Sequence, residues 1–212
     1  MAENPVEMVY RFGNGIYLNI TNRCPNLCVF CIKTKWQMDF HGHNLNLEGA
    51  EPSAQEVICA LEKEFSRAPF EQVVFCGYGE PTMRLDVLLE VGRYLQQIRR
   101  TGKYPPFTIR LNTNGLGNLI NGRNIVPELR KVLDRINVSV NAENAQVWQK
   151  IVRPHAPYRD GYPAVLDFLK QCVAARFDKV VASCVENTGA DPQKVKQTAE
   201  SCGAEFYLRS AL

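Results

Sequence analysis

Residues 16–33 read IYLNITNRCPNLCVFCIK, and the reading of this stretch decides the fold. Its first part, Ile16 to Thr21, alternates apolar and polar residues as a half-buried strand does. Three cysteines, Cys24, Cys28 and Cys31, follow at spacings of four and three residues. A strand that runs straight into chemically active side chains is what a parallel α/β fold builds at the carboxyl ends of its strands.

Working outward, MVYRFGNGIYLNIT reads as a hairpin turning at Gly13-Asn14-Gly15, with Ile16 to Thr21 as its second arm and the first core strand. Strand and helix then alternate. A helix from Ser53 to Arg67 precedes the strand QVVFCG, and a helix from Leu85 to Arg100 precedes FTIRLNTNG. A short helix over Pro127 to Leu133 leads to RINVSVN, and helices over Asn144 to Val152 and GYPAVLDFLKQCVAAR lead to KVVASCVEN. A helix opened by Asp191-Pro192 and the strand AEFYLR close the series. These make six βα units, and near-continuous apolar strands imply a parallel sheet covered by helices. A complete eightfold barrel takes about 250 residues, so six units in 212 residues leave a partial, laterally open barrel or a doubly wound sheet. In either, the polar strand ends GYGEPT, NTNG, SVNAEN and VENTG share one rim with the cysteines.

Composition agrees with a globular α/β chain: 45% hydrophobic and 22% charged residues. No stretch reaches the roughly 20 apolar residues needed to cross a bilayer, and MAENPVEMVYRFGNG lacks the regions of a signal peptide. The expectation is one cytoplasmic domain over residues 1–212, with 1–14 as an N-terminal hairpin arm and no membrane partner. A net charge of +3, scattered over segments such as IRRTGK and LRKVLDR, gives no strong nucleic-acid signal. In a reducing compartment eight cysteines serve as metal ligands, catalytic groups or small core residues rather than disulfides.

Two readings of the triplet stay open on spacing alone. With His41 or His43 as a fourth ligand it would hold a structural zinc. Alternatively, three thiolates would hold three irons of a 4Fe-4S cluster and leave the fourth iron open to a ligand. Cys59, Cys76, Cys172, Cys184 and Cys202 form no close pair in the sequence and read as small apolar residues. A third function class, a non-redox doubly wound enzyme binding phosphate at GYGEP or NTNG, matches neither the P-loop nor the dinucleotide fingerprint.

C-x3-C-x-aromatic-C, here Cys24, Cys28, Phe30 and Cys31 after a first strand, resembles the signature of the radical S-adenosylmethionine (radical SAM) enzymes. GYGEP resembles that family's glycine-rich segment, LNTNG and VSVNAE two of its later strand ends. YLNITNRC, VFCGYGEPT and VLDFL together are similar to the small radical SAM proteins encoded beside TatD-family hydrolases. The resemblance covers nearly the whole chain. It implies α/β architecture as a partial, laterally open (β/α)6 barrel of parallel strands, with a 4Fe-4S cluster and SAM as cofactors. It further implies reductive cleavage of SAM to methionine and a 5′-deoxyadenosyl radical that takes a hydrogen atom from a substrate. A low-potential donor such as flavodoxin or ferredoxin would supply the electron. The substrate, small or macromolecular, has no motif; activation of a glycyl-radical enzyme is the sharpest alternative within the family, and a zinc-stabilised binding domain the alternative outside it.

What the resemblance assigns falls on individual residues. Cys24, Cys28 and Cys31 are the cluster ligands, and Phe30 lies against adenine. Gly77, Tyr78, Gly79 and Glu80 form the segment for SAM's methionine moiety, with Glu80 accepting from the ammonium. Asn112, Asn114, Ser139 and Asn141 suit a ribose or carboxylate, and Arg153 SAM's carboxylate. Glu186 ends the fifth core strand and either faces the site or caps the next segment of chain. The loop with Trp36, Met38, Asp39, His41 and His43 is a connection or a cover.

Overall fold

A computed structural model describes residues 6–211. The chain opens with β1 (Val9–Phe12) and β2 (Gly15–Leu18), an antiparallel hairpin in which Phe12 pairs with Gly15. Residues 1–5 of the expected arm lie outside the described residues. After the cysteine loop come α1 (Ile32–Lys35), then β3 (Asp39–Phe40) and β4 (His43–Asn44), which pair as a miniature hairpin. The repeating part comes next: α2 (Ala54–Phe65), β5 (Gln72–Phe75), α3 (Leu85–Arg100), β6 (Thr108–Thr113), α4 (Gly117–Asn121), α5 (Val126–Val132) and β7 (Arg135–Ser139). It ends with α6 (Ala145–Val152), α7 (Tyr162–Ala174), β8 (Lys179–Val185), α8 (Pro192–Ser201) and β9 (Glu205–Arg209).

The main sheet runs β1-β2-β5-β6-β7-β8-β9, and every neighbouring pair after the first is parallel. Six parallel strands therefore follow one another in chain order. The order never reverses, which excludes the doubly wound alternative. Right-handed crossovers in an unreversed sheet place the helices on one face, and β1 and β9 each have a neighbour on one side only, so the sheet is laterally open.

Alternation along the strands sorts the two faces. Ile109, Leu111 and Thr113 of β6 are buried, whereas Thr108, Arg110 and Asn112 are only half-buried. Ile16, Leu18, Phe75, Ile109, Leu111, Ile136, Val138 and Ala182 join α2, α3, α5 and α7 in one core, each large side chain contributing about 1.5–3 kcal/mol. The helices start where capping chemistry dictates: Ser53 and Glu56 form a capping box on α2, and Asn144 and Asp191 cap α6 and α8 through Val147 N and Gln193 N. The second face carries the polar side chains and a smaller cluster of Tyr10, Leu45 and Tyr78, against which Tyr17, Met38 and Phe40 pack. Cys172, Cys184 and Cys202 are buried as expected, but Cys59 is exposed on α2, because its position falls on the helix's solvent face.

Candidate active site

The three cysteines lie beyond the carboxyl end of β2, in a loop fastened to the far end of α6. Leu27 N donates to Val152 O and Arg153 O, both at 3.1 Å, Val29 N to Ile151 O at 2.9 Å, and His155 N to Pro25 O at 2.8 Å. The carbonyls that α6 leaves unpaired at its C-terminus thus hold the loop. Arg153 closes α6 in the left-handed conformation at φ 49°, and its side chain is exposed. Trp148, fully buried, anchors α6 in turn.

All three thiols are half-buried. Burial pushes the Cys24 thiol up to about 11, with the Glu80 carboxylate adding to it. Burial likewise pushes Cys28 up to about 12, and the neighbouring Cys24 and Cys31 add to that. Cys31 N donates to Cys28 O at 3.1 Å within the same loop, and thiols desolvated as Cys24 and Cys28 are ionise against a bound cation. Among the described residues no three His, Cys, Asp or Glu side chains gather as round a single ion. The histidines of the zinc alternative are engaged in the β3–β4 hairpin, His43 with Glu7 at 3.1 Å and His41 stacked on Phe12 at 5.3 Å. Phe30, half-buried, packs against the main core.

GYGEP follows β5 and wedges against the root of the cysteine loop. A Cβ at Gly79 would lie 2.2 Å from Thr21 O and 2.7 Å from Arg23 O, and one at Gly77 2.1 Å from Asn19 Oδ1. The glycines are thus required by backbone packing within the chain, a role that their reading as ligand-approach residues did not include. Tyr78 N donates to Asn19 Oδ1 at 3.1 Å, and the Tyr78 hydroxyl donates to Asp39 O, tying the hairpin down. Burial pushes the Tyr78 hydroxyl up to about 12.

Glu80 is 2% exposed. Its Oε1 accepts from Thr82 N at 3.1 Å, Thr82 Oγ1 at 2.7 Å and Thr113 Oγ1 at 2.7 Å, and its Oε2 from Asn114 N at 2.7 Å. The carboxylate therefore joins the GYGEP and NTNG turns. Burial raises its carboxyl above the ordinary value, against the opposing pull of these donors.

The remaining predicted residues divide by surroundings. Asn112 lies on the polar face, and its Oδ1 is buried without a partner. Asn114 accepts from Leu116 N at 2.9 Å through Oδ1, and its Nδ2 is buried and unpaired. Ser139 Oγ and Asn141 Oδ1 both accept from Arg209 Nη2 at 3.2 Å. Glu186 Oε1 accepts from Ala211 N at 3.3 Å. It lines an open pocket of about 710 Å³ with Glu143 and Asp191. Sequence reasoning missed Asn19, Arg110 and Arg209; the alternation of β6 and β9 was the one pattern that would have put the two arginines on the polar face.

Residues 18–202 match the Radical SAM superfamily. The chain belongs to the radical SAM superfamily. Its members use a 4Fe-4S cluster and SAM, and the three cysteines of the signature are present here. GTP 3′,8-cyclase of Marinobacter nauticus is 26% identical over 194 residues, 90% of this chain and 51% of that protein. The chain thus spans about half the length of this curated relative. Among solved structures, TYW1 with a lysine-pyruvate adduct bound superposes with TM-score 0.61 at 13% identity, over 94% of this chain and 65% of that one. The FeFe-hydrogenase maturase HydG from Carboxydothermus hydrogenoformans gives 0.59 at 16% identity, over 93% and 44%. At these identities the likeness is one of fold, and it agrees with the open parallel sheet. The residues at the rim fit the radical SAM cofactors: three free, half-buried thiols on one loop for the cluster, and orphaned amide atoms on Asn112 and Asn114 for a polar ligand beside it.

Proposed function

We propose that this chain is a radical SAM enzyme of the small type encoded beside TatD-family hydrolases, with one domain carrying the whole site. When bound, cluster and SAM supply a 5′-deoxyadenosyl radical for hydrogen abstraction; the protein's work is to bind, orient and shield. Cys24, Cys28 and Cys31 hold the cluster, and the α6 carbonyls fix the loop they sit on. Glu80 positions the rim by clamping GYGEP to NTNG, and Oε2, with one hydrogen bond against three on Oε1, is the oxygen that would take SAM's ammonium. Arg153, exposed beside the cysteine loop, takes its carboxylate. Phe30 covers the adenine, and Asn112, Asn114, Ser139 and Asn141 serve the ribose. An electron enters from a low-potential donor such as flavodoxin or ferredoxin.

The observation that carries this reading is the packing of the loop that bears Cys24, Cys28 and Cys31 against a GYGEP turn whose glycines have no room for a side chain, with Glu80 N donating to Arg23 O at 2.8 Å. Anaerobic reconstitution tests it. The expected protein is brown with about four irons per chain and absorbs broadly in the visible; a colourless protein with one zinc per chain would overturn it.

A further inference from the structure

The carboxylate of Glu51, in the stretch that leads into α2, joins the root of the cysteine loop to the turn that follows GYGEP. Its Oε1 accepts from Thr21 Oγ1 at 2.7 Å and from Arg23 Nε at 2.8 Å, and its Oε2 from Arg23 Nη2 at 2.7 Å. Arg84, which ends the 3-10 turn Pro81–Arg84, brings Nη1 to 3.3 Å from the same Oε2 and donates through Nη2 to Pro52 O at 3.2 Å. Arg23 immediately precedes Cys24. Backbone contacts between the two segments converge at the same place: Glu80 N donates to Arg23 O at 2.8 Å, Gly79 packs on Thr21 O, and Arg23 N donates to Thr21 Oγ1 at 3.0 Å. Burial pulls the Glu51 carboxyl upward, but hydrogen bonds from Thr21 and Arg23 and the charges of Arg23 and Arg84 outweigh it and hold the group below its ordinary value. Glu51 is therefore ionised at neutral pH.

A bidentate pair of arginine and carboxylate fixes orientation as well as distance, and the second cation, Arg84, comes from a different segment. The three side chains thus brace one piece of chain against another. In the proposed function SAM is held by both pieces at once, by the cysteine loop through the cluster and by the GYGEP turn, so its affinity depends on how they are set against each other. We propose that Glu51 is a positioning residue that sets the cysteine loop against the GYGEP turn, so that the two halves of the SAM site meet in register. The inference rests on the radical SAM reading and adds to it a residue that none of the cofactor assignments uses. Glu80 and Glu51 then hold the GYGEP turn from two sides, Glu80 toward NTNG and Glu51 toward the cysteine loop.

The test compares cluster-loaded parent, Glu51→Ala and Glu51→Gln, with iron content and calorimetric titration by SAM measured on the same preparations. Glu51→Ala removes the acceptor of Thr21, Arg23 and Arg84 together. Glu51→Gln has the same shape and keeps the test open where the alanine variant does not fold; it leaves an oxygen for Thr21 and sets an NH2 against Arg23 Nη2 and Arg84 Nη1. Both variants are expected to load iron as the parent does and to bind SAM about tenfold more weakly, with the same number of sites per loaded chain. Affinity and site number separate the alternatives, because a residue that only holds the fold together lowers the number of competent chains and leaves the affinity of the rest unchanged. Two results overturn the positioning role: parent-like SAM affinity in the Glu51 variants that fold, or parent-like affinity with fewer sites or less iron. A parent that neither holds iron nor binds SAM overturns the radical SAM reading and the positioning role together, whereas a parent that does both, beside variants of equal affinity, overturns the positioning role alone.

Discussion

Replacing Glu80 by glutamine changes one oxygen for an amide nitrogen in the most tightly bonded side chain of the rim. Oε1 serves three donors, so the amide oxygen takes that place and the new NH2 falls where Oε2 was, facing Asn114 N–H at 2.7 Å. A buried backbone donor then meets another donor. Leaving such a group unpaired costs about 1–3 kcal/mol, which for a chain of this length lowers Tm by roughly 2–12 °C. The pH dependence has a definite sign. Burial raises the Glu80 carboxyl in the folded protein, so the folded state keeps that proton to higher pH than the unfolded chain does. The stability this contributes is complete below the unfolded value and lost as pH rises through the folded one. The parent's Tm should therefore fall more steeply than that of Glu80→Gln as pH rises from the ordinary carboxylate range. Thermal unfolding of both proteins by circular dichroism across that rise reads both effects. Equal Tm values with parallel pH profiles would refute the reasoning that Glu80 is a buried clamp.

The same geometry has further outcomes. Gly79→Ala puts a methyl 2.2 Å from the Thr21 carbonyl oxygen, where backbone must move; a loss of about 3 kcal/mol, the upper end for overpacking, together with poor cluster loading, should appear in thermal unfolding and iron assays. A parent-like Gly79→Ala protein would contradict the packing of GYGEP on the loop root. Alanine at Cys24, Cys28 or Cys31 should each abolish iron binding, while alanine at Cys59, Cys76, Cys172, Cys184 or Cys202 should leave it, as iron and sulfide analysis will read; iron loss in Cys76→Ala would contradict the ligand set. Arg153→Ala should weaken SAM binding about tenfold by calorimetry with little change in Tm, since its cap contact to Leu27 is made by the backbone; unchanged affinity would remove Arg153 from the carboxylate.

The fold was legible wherever a pattern was long enough to show its period. Leu85–Arg100 runs as helix at the bounds its apolar stripe implies, and β6 alternates along its length. Counting βα units left an open barrel or a doubly wound sheet, and the unreversed strand order decided between them. What escaped was short or non-local. α1, α4 and the β3–β4 pair are two to five residues long, too few for periodicity to declare itself. The fastening of Leu27 and Val29 to α6 joins backbone groups more than a hundred residues apart and leaves no mark on side-chain identity. In the site, the cysteines and GYGEP announced themselves by residue type, because thiol chemistry and close backbone approach allow few substitutes. Glu80 showed itself as a polar strand end but not as a fourfold acceptor, since its donors are hydroxyls and backbone amides of distant segments. Arg209 sits in a strand whose other residues read as ordinary alternation, and only the folded sheet shows its guanidinium bonded to Ser139 and Asn141.

The central claim is that this chain cleaves SAM reductively at the site built on Cys24, Cys28 and Cys31, and the most direct measurement needs no substrate. Reconstituted protein is reduced with dithionite under anaerobic conditions in the presence of SAM, and the products are quantified by mass spectrometry against time. The account predicts that methionine and 5′-deoxyadenosine accumulate in equal amounts, and that neither forms in a Cys28→Ala protein handled alongside. A fully loaded, reduced parent that binds SAM and yields neither product would contradict it.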